Sequence, residues 1–327
     1  MSEAILKVRN LNMHFPTGGG FAGKSTSVVR AVNNVSFEVN RGESFGIVGE
    51  SGSGKTTLGR CIMRILAPTS GEMHFAPSGL SPVDLTSLSK DELRVIWRKM
   101  RMVFQDPQSS LNPRLRVLDL IGQSIQKTEG LRGTELSARV AELLLQVGLR
   151  PEFLMRYANA FSGGQRQRIG IARALATRPE MVIADEAVSA LDVSIQAQTL
   201  NLMKDLQEDF ALTYVFIAHD LAVVQHFCDR IAVMFQGQIV ELAAADTLYR
   251  APKHPYTRAL LSAVPIPDPR QRGRLRGKVA LTDGMTQLGG CAFAGRCAHA
   301  TEICKAQLPP VRNIDGAEVA CHFAGEI

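Results

Sequence analysis

The sequence predicts an α/β fold built on a mixed sheet. Three observations carry that prediction. Ser44–Val48 is a compact apolar strand, and the apolar runs Met181–Ala184 and Tyr214–Ile217 are each bordered by helix-like sequence, the pattern of buried strands in a parallel sheet. The first of them leads into a glycine-rich loop and then a helix, at Gly49-Glu50-Ser51-Gly52-Ser53-Gly54-Lys55-Thr56-Thr57. A mostly helical block at about 111–178 separates the first run from the second.

The elements follow in order. Residues 4–9 and 29–39 read as strands, the latter with the half-buried alternation of Val35-Ser36-Phe37-Glu38-Val39. The Gly/Ser-rich segment 17–27 between them reads as a loop. It holds a decoy, Gly23-Lys24-Ser25, which resembles the end of a phosphate loop but has no apolar strand feeding it. Thr56 to Leu66 reads as a helix. Ser89-Lys90-Asp91-Glu92 is a capping box that opens a helix to about Met100. Residues 100–104 are strand-like. Within the helical block, Glu135 to Val147 is periodic, and Pro179 ends the block. After about Asp246 the composition shifts to Pro, Gly and Cys. A boundary is therefore expected there, with a main domain at 1–245 and a small extension at 246–327.

Bulk properties narrow the function classes. The chain has 327 residues, 45% of them hydrophobic. No run approaches the ~20 uninterrupted apolar residues that a membrane-spanning helix needs. The first residues are charged and lack the apolar core of a secretory signal, so a cytosolic chain is expected, held at a membrane only through partners. The net charge of +6 is mild, and part of it sits in the run Arg270 to Lys278. Glycines interrupt that run, so it reads as a solvated linker rather than a basic helix. Of six cysteines, Cys61 and Cys228 sit among apolar neighbours and read as core. The other four are spaced C-x5-C-x6-C-x16-C over Cys291, Cys297, Cys304 and Cys321. Disulfides are disfavoured in a reducing compartment, and a late cluster reads better as a metal site. The spacing matches no common ferredoxin or zinc-finger pattern, so it allows a metal without naming one.

The chemistry lies in the motifs. Gly49-x4-Gly54-Lys55-Thr56 follows a strand and opens a helix, the full phosphate-loop context. Glycines let the backbone wrap phosphates, and N–H groups with the helix N-terminus attract the anion. Lys55 then reaches the outer phosphates, and Thr56 ligates Mg²⁺. Asp185 closes an apolar strand, where phosphate-loop ATPases place a metal-holding Asp. Glu186 follows it, positioned to act as a general base. Ser162-Gly163-Gly164-Gln165 precedes a helix and forms an N-terminus able to meet an anion. On their own, His219 and Gln105 read as a structural histidine and an exposed polar residue.

These three motifs, with Phe161 to Gln165 lying between the glycine loop and Asp185-Glu186, resemble in kind and order those of the ATP-binding-cassette (ABC) ATPases. The resemblance covers nearly the whole chain. It implies an ABC nucleotide-binding fold in which the block at about 111–178 carries the signature. It makes His219 the switch histidine and Gln105 the residue that senses Mg²⁺ and relays nucleotide state. It makes Ser51, Gly52, Ser53 and Thr57 part of the nucleotide cradle. Ser162 to Gln165 would meet the γ-phosphate held by an opposite subunit, and Asp192 would cross that seam. An aromatic after the first strand stacks on adenine in this family, which points to Phe15; a core role is the alternative.

Three segments are similar to the oligopeptide, dipeptide and nickel importer branch: Phe104 to Pro113, Ser189 to Ser194, and His254 to Leu261. Phe161, in place of the usual leucine, matches the second ATPase of such importers. Ala187 departs from the usual proline, and 282–289 lacks the usual Pro-rich text. The resemblance implies uptake of peptides, or of nickel, glutathione or another small solute. It implies a second ATPase as heterodimer partner, two transmembrane permeases, and an external solute-binding protein acting through them. The chain would sit peripherally at the cytoplasmic face of the inner membrane. It also implies a [4Fe–4S] cluster on Cys291, Cys297, Cys304 and Cys321. Zn²⁺ is the alternative, with His299 or His322 replacing a cysteine, and a metal-free site is a third. A soluble nucleic-acid-handling ABC ATPase is a distant alternative. The inserted domains and coiled coils of such proteins are missing here, so no nucleic acid partner is expected.

Overall fold

The computed structural model describes residues 3–17, 27–106, 110–189, 191–263 and 289–327. The decoy Gly23-Lys24-Ser25, the basic run 270–278, most of 282–289 and parts of the importer-like segments Phe104 to Pro113 and Ser189 to Ser194 lie outside the described residues.

Two sheets organise the described residues. β1 (Ala4–Thr17), β2 (Ser27–Asn40), β4 (Ser70–Phe75) and β5 (Val83–Asp84) make an antiparallel sheet in the order β2-β1-β4-β5. The larger sheet has eight strands, in the order β11-β12-β10-β9-β3-β8-β7-β6. Its members are β3 (Ser44–Val48), β6 (Met100–Val103), β7 (Met181–Asp185), β8 (Thr213–Ala218), β9 (Arg230–Phe235), β10 (Gln238–Ala244), β11 (Val311–Ile314) and β12 (Ala317–Ala320). Strands β6, β7, β8, β3 and β9 run parallel, and the remaining three are antiparallel.

The central strands are buried on both faces, which explains their unbroken apolar text. Side chains alternate between two cores. Phe45, Ile47, Ile183, Val215, Ile217, Ala232 and Met234 face the antiparallel sheet and α1 (Lys55–Ile62). Val48, Val182, Ala184, Tyr214, Phe216, Ile231, Val233 and Phe235 face the other core, which includes the helical block. This period of two is the pleat of the strand expressed as packing.

α2 (Lys90–Lys99) opens with the expected capping box, Ser89 and Glu92 exchanging both bonds. It runs straight into β6. The block after it contains α3 (Val117–Glu129), α4 (Gly133–Gln146), two 3-10 turns and α5 (Gly163–Leu175). α6 (Val193–Phe210) and α7 (Leu221–Phe227) flank β8. α8 (Ala245–Arg250), α9 (Pro255–Ala263) and α10 (Glu302–Ala306) belong to the C-terminal part.

Several boundaries move. α1 ends at Ile62 rather than Leu66, because Arg64 turns left-handed at φ 54° and the chain folds back onto the Arg60 carbonyl. β1 runs to Thr17 rather than residue 9, with several register shifts against β2. Such bulges break the alternation that a sequence pattern relies on. The C-terminal hairpin β11–β12 joins the main sheet through β10, with Glu241 opposite Val319. Residues of the extension, among them Tyr256, Phe293 and Val319, share the core of the helical block.

Candidate functional site

The strand–loop–helix at 44–62 builds the site's centre. Gly49, Gly52 and Gly54 take φ of 156°, 81° and 102°. Glycine is forced at two of them by close approach. A Cβ on Gly49 would stand 2.1 Å from the Met234 carbonyl oxygen, and one on Gly54 would stand 2.0 Å from that of Ala31. The loop is thus clamped between β9 and β2. α1 begins on Gly54 with no side-chain cap on its first N–H groups.

Lys55 is buried and folds over the loop, its Nζ donating to the Gly49 and Glu50 carbonyls at 2.8 and 2.9 Å. Burial pushes its ammonium below the ordinary lysine value, while Glu186, Asp185 and Glu50 pull it back up. Thr56 donates its hydroxyl to Asp185 Oδ1 at 3.0 Å. Asp185 is buried at the end of β7, and burial raises its carboxyl above the usual value. The adjacent Glu186 adds to that rise, while the Thr56 bond, Arg60 and Lys55 oppose it.

Glu186 leaves the strand with φ 46°. Its N–H donates to the Ile217 carbonyl at 2.9 Å, and its own carbonyl accepts from the N–H and Oγ of Ser189. These bonds aim the carboxylate at two further residues. Gln105 Nε2 donates to Glu186 Oε2 at 2.8 Å, and His219 Nδ1 lies 3.3 Å from the same oxygen. Lys55, Thr56, Gln105, Glu186 and His219, with Ser51, Gly52, Gly54 and Thr57, line one cavity of about 1190 Å³. Ser53, buried beneath the loop, accepts no wall position but receives the Gly237 N–H on its carbonyl.

Residues from the phosphate loop with the start of α1, and from just beyond the ends of β6, β7 and β8, therefore converge on one space. Phe15 does not line it. Its cross-strand partner Val29 does, together with Val28, and both valines are about half exposed. Sequence pattern marks aromatics, and it offered no signal for this aliphatic pair. Ser162 to Gln165 and Asp192 also stand outside the cavity wall. Ser162 caps α5 in a second capping box with Gln165, on the surface. A Cβ on Gly164 would meet Ile195 at 2.7 Å, so this glycine lets α5 pack on α6. Phe161 is buried edge-on against Phe153, with ring centroids 5.3 Å apart. Asp192 is exposed at the start of α6 and makes no cap bond to it.

The four late cysteines surround one small cavity with His254, His299 and His322. Burial pushes the Cys291 thiol up to about 11 and also raises Cys297 and Cys321. Four thiols with no carboxylate are the right donors for an iron–sulfur cluster. Yet no group of three or more His, Cys, Asp or Glu among the described residues stands ready to hold a metal.

Residues 32–189 match the family model described as ABC transporter, and 240–304 match that of the oligopeptide/dipeptide transporter C-terminal region. A probable peptide ABC transporter ATP-binding protein, y4tS of Sinorhizobium fredii, is 48% identical over 98% of this chain and 90% of its own length. The chain belongs to the ABC transporter family. Other relatives of this ABC ATPase include the oligopeptide transport ATP-binding protein AppF of Bacillus subtilis, 47% identical over 98% of both chains. The di/tripeptide transport ATP-binding protein DppF of Pseudomonas aeruginosa is 46% identical over 98% of both. Among solved structures, the dimeric post-hydrolysis state of the cassette MJ0796 with ADP and Pi aligns at TM-score 0.63 and 30% identity. That alignment covers 73% of this chain and 98% of the other. The ABC ATPase fold expected from the motifs is therefore the fold found.

Proposed function

We propose that this ABC ATPase is the ATP-hydrolysing subunit of an importer for peptides. One observation carries the catalytic part: Lys55, Thr56, Gln105, Glu186 and His219 converge on a single cavity beside the phosphate loop. The loop N–H groups and Lys55 bind the phosphates. Thr56 Oγ1, the Asp185 carboxylate and the Gln105 amide are the oxygen donors that would hold Mg²⁺, which supplies charge neutralisation when bound. Glu186 takes the proton of the attacking water. His219 and Gln105, both beside its Oε2, hold that carboxylate in place.

Transport of peptides is supported by the match of 240–304 and by the names of relatives aligned over nearly the whole chain. Residues 1–245 carry the nucleotide chemistry, with about 111–178 presenting Ser162, Gly163, Gly164 and Gln165 to a second ATPase. Asp192 lies at the same seam. Phe15, paired across the strands with Val29, is the aromatic that would stack on adenine, and Val28 and Val29 on the cavity wall are further candidate base contacts. No helix among the described residues is long and apolar enough to cross a membrane. Membrane work therefore falls to two permease partners, with a solute-binding protein acting through them and this chain docked on their cytoplasmic side. In the extension, Cys291, Cys297, Cys304 and Cys321 are the residues that would hold a [4Fe–4S] cluster, or Zn²⁺. All four line one small cavity, which supports this, and a structural role fits because ATP hydrolysis needs no electron transfer.

Affinity purification from membranes in mild detergent tests the assembly, with iron, zinc and acid-labile sulfide measured on the same sample. Two multi-span permeases and a second ABC ATPase are expected, with about four irons and four sulfides per chain. Recovery of soluble or nucleic-acid partners alone would overturn the transport reading. A chain free of iron and sulfide would overturn the cluster.

A further inference from the structure

Glu50, the second residue of the phosphate loop, is gripped by the C-terminal extension. Its backbone N–H donates to Tyr256 Oη at 3.0 Å. Its two carboxylate oxygens accept from Arg296 Nη1 and Nη2, each at 2.8 Å. This forked ion pair joins residues 246 positions apart. A bidentate guanidinium–carboxylate pair is among the most directional contacts a protein makes.

The grip is itself braced. The Arg296 guanidinium lies over Phe235 and Phe293, at 5.5 and 5.7 Å. Those rings and Tyr256 form a mutual cluster with centroids 4.5 to 5.4 Å apart. Phe235 ends β9 immediately after Met234, whose carbonyl closes over Gly49. Ala292 and Leu308 of the extension line the same cavity as Ser51 and Lys55. The extension therefore touches the loop directly and forms part of the cavity's wall.

We propose that Arg296, with Tyr256, is a positioning residue of the nucleotide site, holding Glu50 so that the phosphate loop keeps its phosphate-ready curve. This rests on the reading of that loop as the ATP phosphate cradle. A loop set in advance binds more tightly because less ordering remains to be done on binding. Only the loop's geometry depends on Arg296. The catalytic carboxylate is anchored separately, by Gln105, Ser189 and the Ile217 carbonyl.

The test is a double-mutant cycle on the full-length chain with Arg296→Gln, Glu50→Gln and the pair together. Mg·ATP affinity is measured by calorimetry, turnover at saturating ATP separately, and folding by thermal melt. Each single change is expected to weaken Mg·ATP binding about ten-fold, as loss of a charge-assisted pair implies. The double variant should bind Mg·ATP no more weakly than either single one. Arg296→Lys, which keeps charge but loses the fork, should recover little. Unchanged affinity in folded variants, or losses that multiply in the double variant, would overturn the proposal. So would a lowered melting temperature with unchanged affinity, which would make the pair a mere strut. If Arg296→Gln does not fold, Tyr256→Phe decides on the same readout: weaker binding supports the proposal and unchanged binding overturns it. Wild-type chain that binds no Mg·ATP would instead sink the ATPase reading itself.

Discussion

Glu186 holds a left-handed backbone, φ 46°, that a non-glycine residue seldom adopts at a cost of roughly 1–3 kcal/mol. Its bonds to Ile217 and Ser189 maintain that conformation, and the result is a carboxylate aimed into the cavity. Glu186→Gln keeps size and hydrogen bonding but removes the proton acceptor. Turnover should fall by about 10²-fold or more while Mg·ATP still binds, as for loss of a general base. Steady-state ATPase assay with a binding isotherm checks this, and wild-type turnover in the variant would remove Glu186 from the role. Lys55 and Asp185 are legible from sequence as candidate phosphate and metal residues because a phosphate loop constrains the local backbone. Glu186 is legible only as the neighbour of Asp185, and its contacts to Gln105 and His219 are not. Those contacts span 81 and 33 positions and depend on how three strand ends line up. Phe15 lies directly across from Val29 on the paired strands β1 and β2, a pairing that no local pattern of the sequence reveals.

Elements are tied together by short polar links that periodicity does not reveal. Glu180, just before β7, accepts from the Ser78 N–H at 2.7 Å and Arg41 Nη1 at 2.8 Å, and pairs with Lys99 Nζ at 3.0 Å. Burial alone would raise its carboxyl, but these partners outweigh burial and hold it below the usual glutamate value. The ends of β2, β4 and α2 are thereby fixed to the start of β7. Glu180→Gln should cost roughly 1–2 kcal/mol by urea unfolding. A depressed folded value means that the stabilisation is present above the unfolded value of about 4.3 and is lost as pH falls through the folded one. The variant and wild type should therefore converge in stability once pH has fallen below the folded value, and a gap that persists there would argue against the ionic origin. Helix α2 was legible because its capping box is local. The hairpin β9–β10 was not assigned from sequence, although Ile231 to Phe235 is as apolar as β3. Its turn uses Gln236 at φ 43° before Gly237, a residue pair with a weaker turn signal than Asn-Gly.

For the whole molecule, composition places a boundary near residue 246, yet the fold carries its main sheet across it. β10 is covered by β12 rather than left as an edge, and the Glu241 carboxylate is fully buried opposite Val319. Its oxygens accept the N–H groups of Lys253 and His254 at 2.8 and 2.9 Å, both supplied by the extension. Tyr256, Phe293 and Val319 fill the same core as Phe235. A change in composition marks where turns and cysteines begin, and it says nothing about which strand pairs with which. The division at 245 can therefore separate roles without separating folding units. A chain cut after Ala245 would expose a strand edge and strand a buried carboxylate without partners, a loss of roughly 3–5 kcal/mol. For a body of this size that corresponds to a melting temperature lower by about 10 °C or more. Low soluble yield is the expected companion. Glu241→Val in the shortened chain should recover part of the loss, because it removes the stranded charge and leaves the strand. A shortened chain that melts where the full chain does would show that the nucleotide-binding body stands alone and that the grip on Glu50 is added to an already finished fold.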